Sequence, residues 1–216
     1  MEQLQKEIRA GMTLKEVREC CEKSMLALGA DSFWYYDVGA LVFAGDDTTV
    51  SVSGRSYQTA ERVLLENDLL TIDLSPQCGD TWGDYARTIV LQDGRAVACM
   101  DEIRNEEWRK GLEMEERLHS ELMQIASPDT TFEQLYEHMN AFIARNGFIN
   151  LDFNGNLGHS IVRRKEDRIY IEKGNQQRLD SVCSFTFEPH ISMPGSVYGF
   201  KKENIYFFEN EQLREL

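Results

Sequence analysis

Several things are scarce in this chain, and each scarcity excludes something. Basic charge is scarce: 23 Lys and Arg stand against 37 Asp and Glu, a net charge of −14. The basic footprint that a nucleic-acid backbone or an anionic membrane surface requires is therefore missing. No apolar run reaches the roughly 18 to 20 residues of a membrane span, and MEQLQKEIRAG at the N-terminus has no apolar leader core. The sequence accordingly reads as cytoplasmic, with neither nucleic acid nor membrane as partner. Only four prolines occur and no single-residue or Ser/Gly-rich run, so nothing marks a flexible tether. Five cysteines, Cys20, Cys21, Cys78, Cys99 and Cys183, are an odd number without CxxC spacing. They read as reduced packing residues, with a zinc-thiolate site as the alternative.

What is present is enough apolar material for a core: 42% hydrophobic and 10% aromatic residues in 216. From Thr13, the apolar positions Leu14, Val17, Cys21 and Met25 recur at helical spacing and stop before Gly29. The same pattern returns 118 residues later, from Thr131 through Phe132, Leu135, Met139 and Ile143 to Gly147. The chain thus reads as an internal duplication. Each helix is followed by strand-like sequence: FWYYDVGALVF, TTVSVSG, LLTIDLSP and DYARTIVL first, then INLDFNG, IYIEKG, VCSFTFEP and YGFKKENIYFF. Between the halves, the charged segment 96–125 with scattered apolar positions predicts a long half-exposed helix. The expectation is one α+β domain over 1–216, with a first half over about 1–95, a connecting helix over about 96–125 and a second half over about 126–216.

Alternation in LLTIDLSP puts Leu70, Ile72 and Leu74 on one strand face and Asp73 on the other. A tight hairpin would make Asp84, in GDYARTIVL, a cross-strand neighbour of Asp73. In the second half, Glu188 and Glu203 stand beside apolar strand residues, and His159 follows a glycine in NLGHSI. Each residue alone reads as a polar position on a solvated face. Together they would be costly, because clustered carboxylates repel one another and resist desolvation unless cations balance them. Four carboxylates and one neutral imidazole would match two divalent ions, with Mn, Co, Zn or Fe suited to such a donor set. Two such ions can lower the pKa of a bound water and polarise a carbonyl, which is the chemistry of amide hydrolysis.

These stretches, with EKGNQQRLDSVCSFTFEPHISMPG and YGFKKENIYFFE, resemble the methionine aminopeptidase, Xaa-Pro peptidase and creatinase family over nearly the whole chain. The resemblance implies a pita-bread fold, a pseudo-twofold α+β domain around a curved, mostly antiparallel sheet that holds two metals. It implies that Asp73 chelates one ion, that Asp84 and Glu203 bridge both, and that His159 and Glu188 complete the other. Glu188 would also handle protons. No appended N-terminal domain is visible, so the chain reads as a bare catalytic domain.

The departures from the family lie around the substrate. Arg55 stands 18 residues before Asp73, and Glu166 seven residues after His159, where the family carries substrate-facing histidines. An ion pair between Arg55 and Glu166 across the pocket would recast its specificity. His190, in EPHIS, replaces a residue that is usually glycine in the family and reads either as a substitute proton shuttle or as a hydrogen-bonded histidine at a strand end. His119 and His138 fall in charged helical sequence and read as solvated. Tyr57, Trp82 and Tyr198 read as pocket lining or as core. The leading expectation is a dinuclear hydrolase of peptides or small amides, of Xaa-Pro dipeptidase or aminopeptidase type, with a homodimer as one arrangement open to it. Two others are a peptide- or protein-binding module of the same fold and a hydrolase of a small non-peptide amide.

Overall fold

The computed structural model describes residues 1–216 apart from the side chain of Glu2. The first half comprises α1 (Glu2–Glu7), α2 (Leu14–Ala27), β1 (Ser32–Phe33), β2 (Ala40–Ala44), β3 (Asp68–Leu74), β4 (Pro76–Cys78), β5 (Thr81–Trp82), β6 (Tyr85–Gln92) and β7 (Arg95–Ala96). Next come α3 (Glu106–Ile125) and α4 (Phe132–Arg145). The rest is β8 (Ile149–Asn150), β9 (Ser160–Ile161), β10 (Ser184–Phe187), β11 (His190–Ser192), β12 (Gly199–Lys201), β13 (Asn204–Glu209) and β14 (Gln212–Glu215).

The duplicated helices are built alike. Thr13 opens α2 with a capping box, taking the Glu16 amide at 3.2 Å while Glu16 accepts the Thr13 amide at 2.8 Å. Thr131 opens α4 through Gln134 in the same way, at 3.1 and 2.9 Å. Each helix buries four apolar positions at the same 118-residue offset, Leu14, Val17, Cys21 and Met25 against Phe132, Leu135, Met139 and Ile143. Burial of a side chain of this size stabilises by roughly 1.5–3 kcal/mol. Gly29 and Gly147 then take positive φ, and the amides of Ala30 and Phe148 close back onto the carbonyls of Met25 and Ile143.

Every strand pairing is antiparallel, in four small sheets ordered β2-β3-β6-β7, β1-β4-β5, β14-β13-β10-β9 and β12-β11-β8. β3 is buried on both faces: Leu70, Ile72 and Leu74 enter the core under α1 and α2, while Leu69 joins the core shared with α3 and α4. The halves are joined along β6. Lys201 donates its amide to the Thr88 hydroxyl (2.7 Å), which donates to the Lys201 carbonyl (3.1 Å). The Glu203 amide donates to the Ala86 carbonyl (2.9 Å), and Arg87 reaches the Glu203 carbonyl and the Asn204 amide oxygen.

Several expectations are corrected. The connecting helix is shorter than 96–125: it starts at Glu106, where the Asn105 side chain caps the amides of Glu107 and Trp108. TTVSVSG forms no strand, because it crosses the cleft wall as a 3-10 turn followed by irregular chain. His119 is buried rather than solvated. Its Nε2–H donates to the Lys202 carbonyl (3.1 Å) and its Nδ1 accepts from the Tyr206 hydroxyl (2.7 Å), and burial with the nearby Lys202 charge pushes it down to about 3. His138 is half-buried against Glu121. Cys21 is the one fully buried cysteine, with Cys20 packed partly against the same core; Cys78, Cys99 and Cys183 are exposed. No helix among the described residues is long and apolar enough to cross a membrane.

Candidate metal centre

The acidic residues singled out by the sequence sit where strands pass from one sheet to another. Asp73 lies just before β3 gives way to β4, Asp84 between β5 and β6, Glu188 between β10 and β11, and Glu203 between β12 and β13. At such bends the ladder is interrupted, and a side chain is re-aimed out of the pleat. Here the bends converge. His159 precedes β9, with its amide on the Thr186 hydroxyl (3.0 Å) and its carbonyl accepting the Thr186 amide (2.7 Å). Gly158 makes that approach possible, since a Cβ there would collide with the Thr186 carbonyl.

Asp73 and Asp84 are not direct cross-strand neighbours. The β4–β5 hairpin extends the β3–β6 ladder past a bend, and the register pairs Asp73 with Ala86. The two carboxylates nonetheless enter one cluster. One ligand atom each from Asp84, His159 and Glu203 lie within 4.8 Å of one another, and so do one each from Asp73, Glu188 and Glu203. Glu203 belongs to both triads. His159 Nε2 stands 3.5 Å from Asp84 and 3.8 Å from Glu188. Its Nδ1 lies 3.1 Å from the Ser160 carbonyl, which can only accept, so Nδ1 carries a proton and Nε2 is the ring nitrogen turned towards the acids.

The electrostatics are those of an acid cluster short of cations. Glu203 is fully buried, and neither of its oxygens has a hydrogen-bond partner. Burial holds its carboxyl well above the ordinary range, and the charges of Asp84, Glu188 and Asp73 push it further. Burial likewise pushes Asp84 up to about 7, with the His159 imidazole pulling the other way and Asp73 adding to the rise. A divalent ion would answer both problems at once, satisfying the orphaned oxygens and cancelling the repulsion.

Lys201 was not singled out by the sequence and stands inside the cluster. Its ammonium donates to Asp73 Oδ2 at 2.6 Å and lies 3.0 Å from Glu188 Oε2. Burial alone would lower its pKa, but Asp73 and Glu188 more than offset this and hold it well above the usual lysine value. One signal was available: a lysine two residues before Glu203, in a strand otherwise made of glycine and phenylalanine.

A cleft of about 340 Å³ opens over the cluster, with Asp73, Asp84, His159, Glu188, His190 and Lys201 in its floor. Its aromatic wall is Trp34, Tyr35, Phe153 and Tyr170, not the three aromatics expected. Trp82 backs that wall from beneath, its ring 4.4 Å from Trp34 and 5.8 Å from His159. Tyr57 is core, its hydroxyl tied to the Val42 backbone, and Tyr198 packs against the main core.

His190 is buried. Its Nε2–H donates to the Thr48 carbonyl at 2.7 Å, and burial, helped by Lys201, pushes it down to about 4. Gly199 leaves room for this bridge, because a Cβ there would strike the Thr48 carbonyl. The ion pair expected between Arg55 and Glu166 is not formed. Arg55 lies 5.1 Å over the Tyr36 ring and contacts the Tyr36 hydroxyl, Glu166 is exposed on a 3-10 turn, and neither lines the cleft. Their loops contribute Ser53 and Arg168 to the cleft, while Arg55 and Glu166 themselves are exposed and line no part of it, so no contact across the cleft draws the two charges together.

The model of metallopeptidase family M24 matches residues 1–210. Among solved structures, the chain is similar to an X-Pro aminopeptidase from Thermotoga maritima MSB8, with a TM-score of 0.79 and 21% identity over 99% of this chain and 55% of that one. It is similar to the prolidase from Pyrococcus horikoshii OT3 (TM-score 0.77, 20% identity, 98% and 56% covered) and to an Xaa-Pro dipeptidase from Bacillus anthracis (0.78, 18%, 99% and 55%). The chain spans little more than half the length of each. No curated protein matches the sequence. At these identities the likeness speaks for the fold, which is the α+β pita-bread architecture that the family resemblance implied.

Proposed function

The chain belongs to metallopeptidase family M24, and from that premise we propose that it is a metal-dependent hydrolase of peptide bonds, of Xaa-Pro dipeptidase or aminopeptidase type. The observation that carries this reading is Glu203, a fully buried carboxylate with two unpartnered oxygens that is common to both ligand triads. The donor set fits divalent Mn, Co, Zn or Fe: Asp73, Asp84, Glu188 and Glu203 supply oxygen, His159 supplies a neutral Nε2, and the two triads provide for up to two ions. Bound there, such an ion supplies a water of lowered pKa and polarises the amide carbonyl.

The chain's own residues do the rest. Glu188 faces the cleft at 13% side-chain exposure, with Thr186 Oγ1 3.4 Å from its Oε1, and is the carboxylate placed to carry a proton from water towards the leaving amine. His190 has its Nε2 proton committed to Thr48, which leaves Nδ1 as an acceptor towards the substrate. Trp34, Tyr35 and Tyr170 offer apolar surface for a side chain or a proline ring. A volume of about 340 Å³ is at the small end of ligand cavities, roughly 300–1,000 Å³, which suits a short peptide. With Arg55 and Glu166 outside the cleft, the substrate-facing imidazole of this chain is His190, so the preferred peptide differs from that of relatives carrying both family histidines.

The test is turnover of dipeptides, Xaa-Pro peptides and N-terminal Met peptides in the presence of each of the four metals. Hydrolysis that disappears in Asp84→Asn and Glu188→Gln supports the reading. Hydrolysis unaffected by Glu188→Gln overturns the role of that residue, and peptide binding without turnover turns the reading to a binding module.

A further inference from the structure

Lys201 divides the acid cluster into two unlike parts. In one triad, Asp73 and Glu188 both bind its ammonium, at 2.6 and 3.0 Å, and only Glu203 makes no bond to it. Asp73 has no other hydrogen-bond or ion-pair partner among the described residues. In the other triad, the side chains of Asp84, His159 and Glu203 make no bond to any Lys or Arg side chain among the described residues, and the neighbour offered to the acids is the imidazole, its Nε2 3.5 Å from Asp84. The ammonium is not a wandering surface charge. Its side chain is 17% exposed, and its backbone is fixed on both sides by Thr88, at the junction between the halves.

We propose that Lys201 is the resident second cation of this centre, so that the chain binds one divalent ion, at Asp84, His159 and Glu203, where a vacant Asp73 triad would take another. The inference rests on the proposal that the cluster binds divalent metal, and it revises the expectation of two ions. An ammonium is a compact point charge with three donors, and here it supplies the positive charge that Asp73 and Glu188 require. A second divalent ion would have to compete with it for both carboxylates and sit beside it as a like charge. The orphaned oxygens of Glu203 face no such competitor. Lys201 is a positioning residue in this scheme: it holds Asp73 and Glu188 in place without a metal and leaves one ion to activate the water.

The experiment counts metal rather than activity. Metal-free protein is titrated with Mn²⁺, and bound metal per chain is measured by calorimetry and elemental analysis, with electron paramagnetic resonance reporting isolated or exchange-coupled ions. The expected result is one ion per chain with the spectrum of an isolated Mn²⁺. Lys201→Met, whose thioether is a poor ligand for this hard ion, should gain a second, coupled ion, and Lys201→Arg should stay at one. Two ions of comparable affinity in the unaltered protein overturn this inference and leave the metal-dependent reading standing. No bound metal at all overturns both. The count on the unaltered protein decides even if Lys201→Met does not fold.

Discussion

Glu203 and Glu115 share a predicament. Both are buried, both have two oxygens without a hydrogen-bond partner, and burial holds both carboxyls well above the ordinary range. Their company differs. Glu203 stands at a strand bend among Asp73, Asp84, Glu188 and His159, and every acid nearby worsens its position. Glu115 lies on the inner face of α3 beside Met114, Leu118 and His119, and the strongest charge acting on it after burial is Lys202, which eases its position. A lone buried carboxylate is therefore a poor guide to a metal site. What marks one is convergence: several strained acids from distant parts of the chain, sharing a defect that one ion would cure.

The sharpest way to break the comparison is to neutralise each acid and follow thermal stability with and without metal. Glu203→Gln should abolish the stabilisation that metal gives, which for a site at 100 times its Kd is about 2.7 kcal/mol. It should also weaken metal binding by roughly 100-fold or more, since even outer ligand partners are worth 10–100-fold. The metal-free protein should become more stable, because Gln, unlike the raised Glu203 carboxyl, needs neither a buried charge nor a proton taken up on folding. If metal still raises the melting temperature of Glu203→Gln by the full amount, Glu203 is not a ligand and the two glutamates are alike after all.

Glu115→Met should act in the other sense, stabilising the protein whether metal is present or not. The gain at pH 7 should be about 1–3 kcal/mol, the size of an unsatisfied buried polar group, and read out at roughly 2–4 °C per kcal/mol for a chain of this length. Its pH dependence follows from the raised carboxyl. Below the unfolded value of 4.5 both states hold the proton and Glu115 carries no ionisation penalty beyond its unsatisfied oxygens. As the pH climbs past it, the unfolded chain ionises freely, the folded chain resists, and stability falls. The advantage of Glu115→Met should thus grow from acid to neutral pH, and chemical denaturation at several pH values measures it. A gain that is flat across that range would mean that Glu115 is ionised in the fold.

Much of this contrast was legible in the sequence, and the reasons are local ones. The duplication of α2 and α4 showed because capping residues, apolar spacing and terminal glycines are short-range signals that repeat at one offset. The five candidate ligands showed because each is a polar residue next to an apolar strand. Lys201 did not, since its meaning depends on Asp73, 128 residues away, and on the β6–β12 junction that brings the two together. The placement of Asp84 opposite Asp73 failed because alternation does not reveal a ladder that bends into β4 and β5. The solvated reading of His119 failed because a charged helix can still bury one stripe, and there the imidazole bridges Lys202 and Tyr206.

The smallest effect is expected at Arg55 and Glu166, and it sharpens the contrast from outside. Both stand where the family resemblance leads one to expect histidines, yet Arg55 packs over the exposed Tyr36 ring and Glu166 has no partner among the described residues. Exposed contacts of this kind are worth about 0.5–1 kcal/mol or less. Arg55→Ala should therefore change stability by no more than that, and Glu166→Ala by less. The decisive quantity is their coupling. Residues that do not touch have additive effects within about 0.3–0.5 kcal/mol, so the double variant should equal the sum of the single ones in both stability and peptide turnover. A larger coupling in turnover alone would mean that the two loops close over the cleft when substrate binds, and the pocket would then be set by a charge pair rather than by His190.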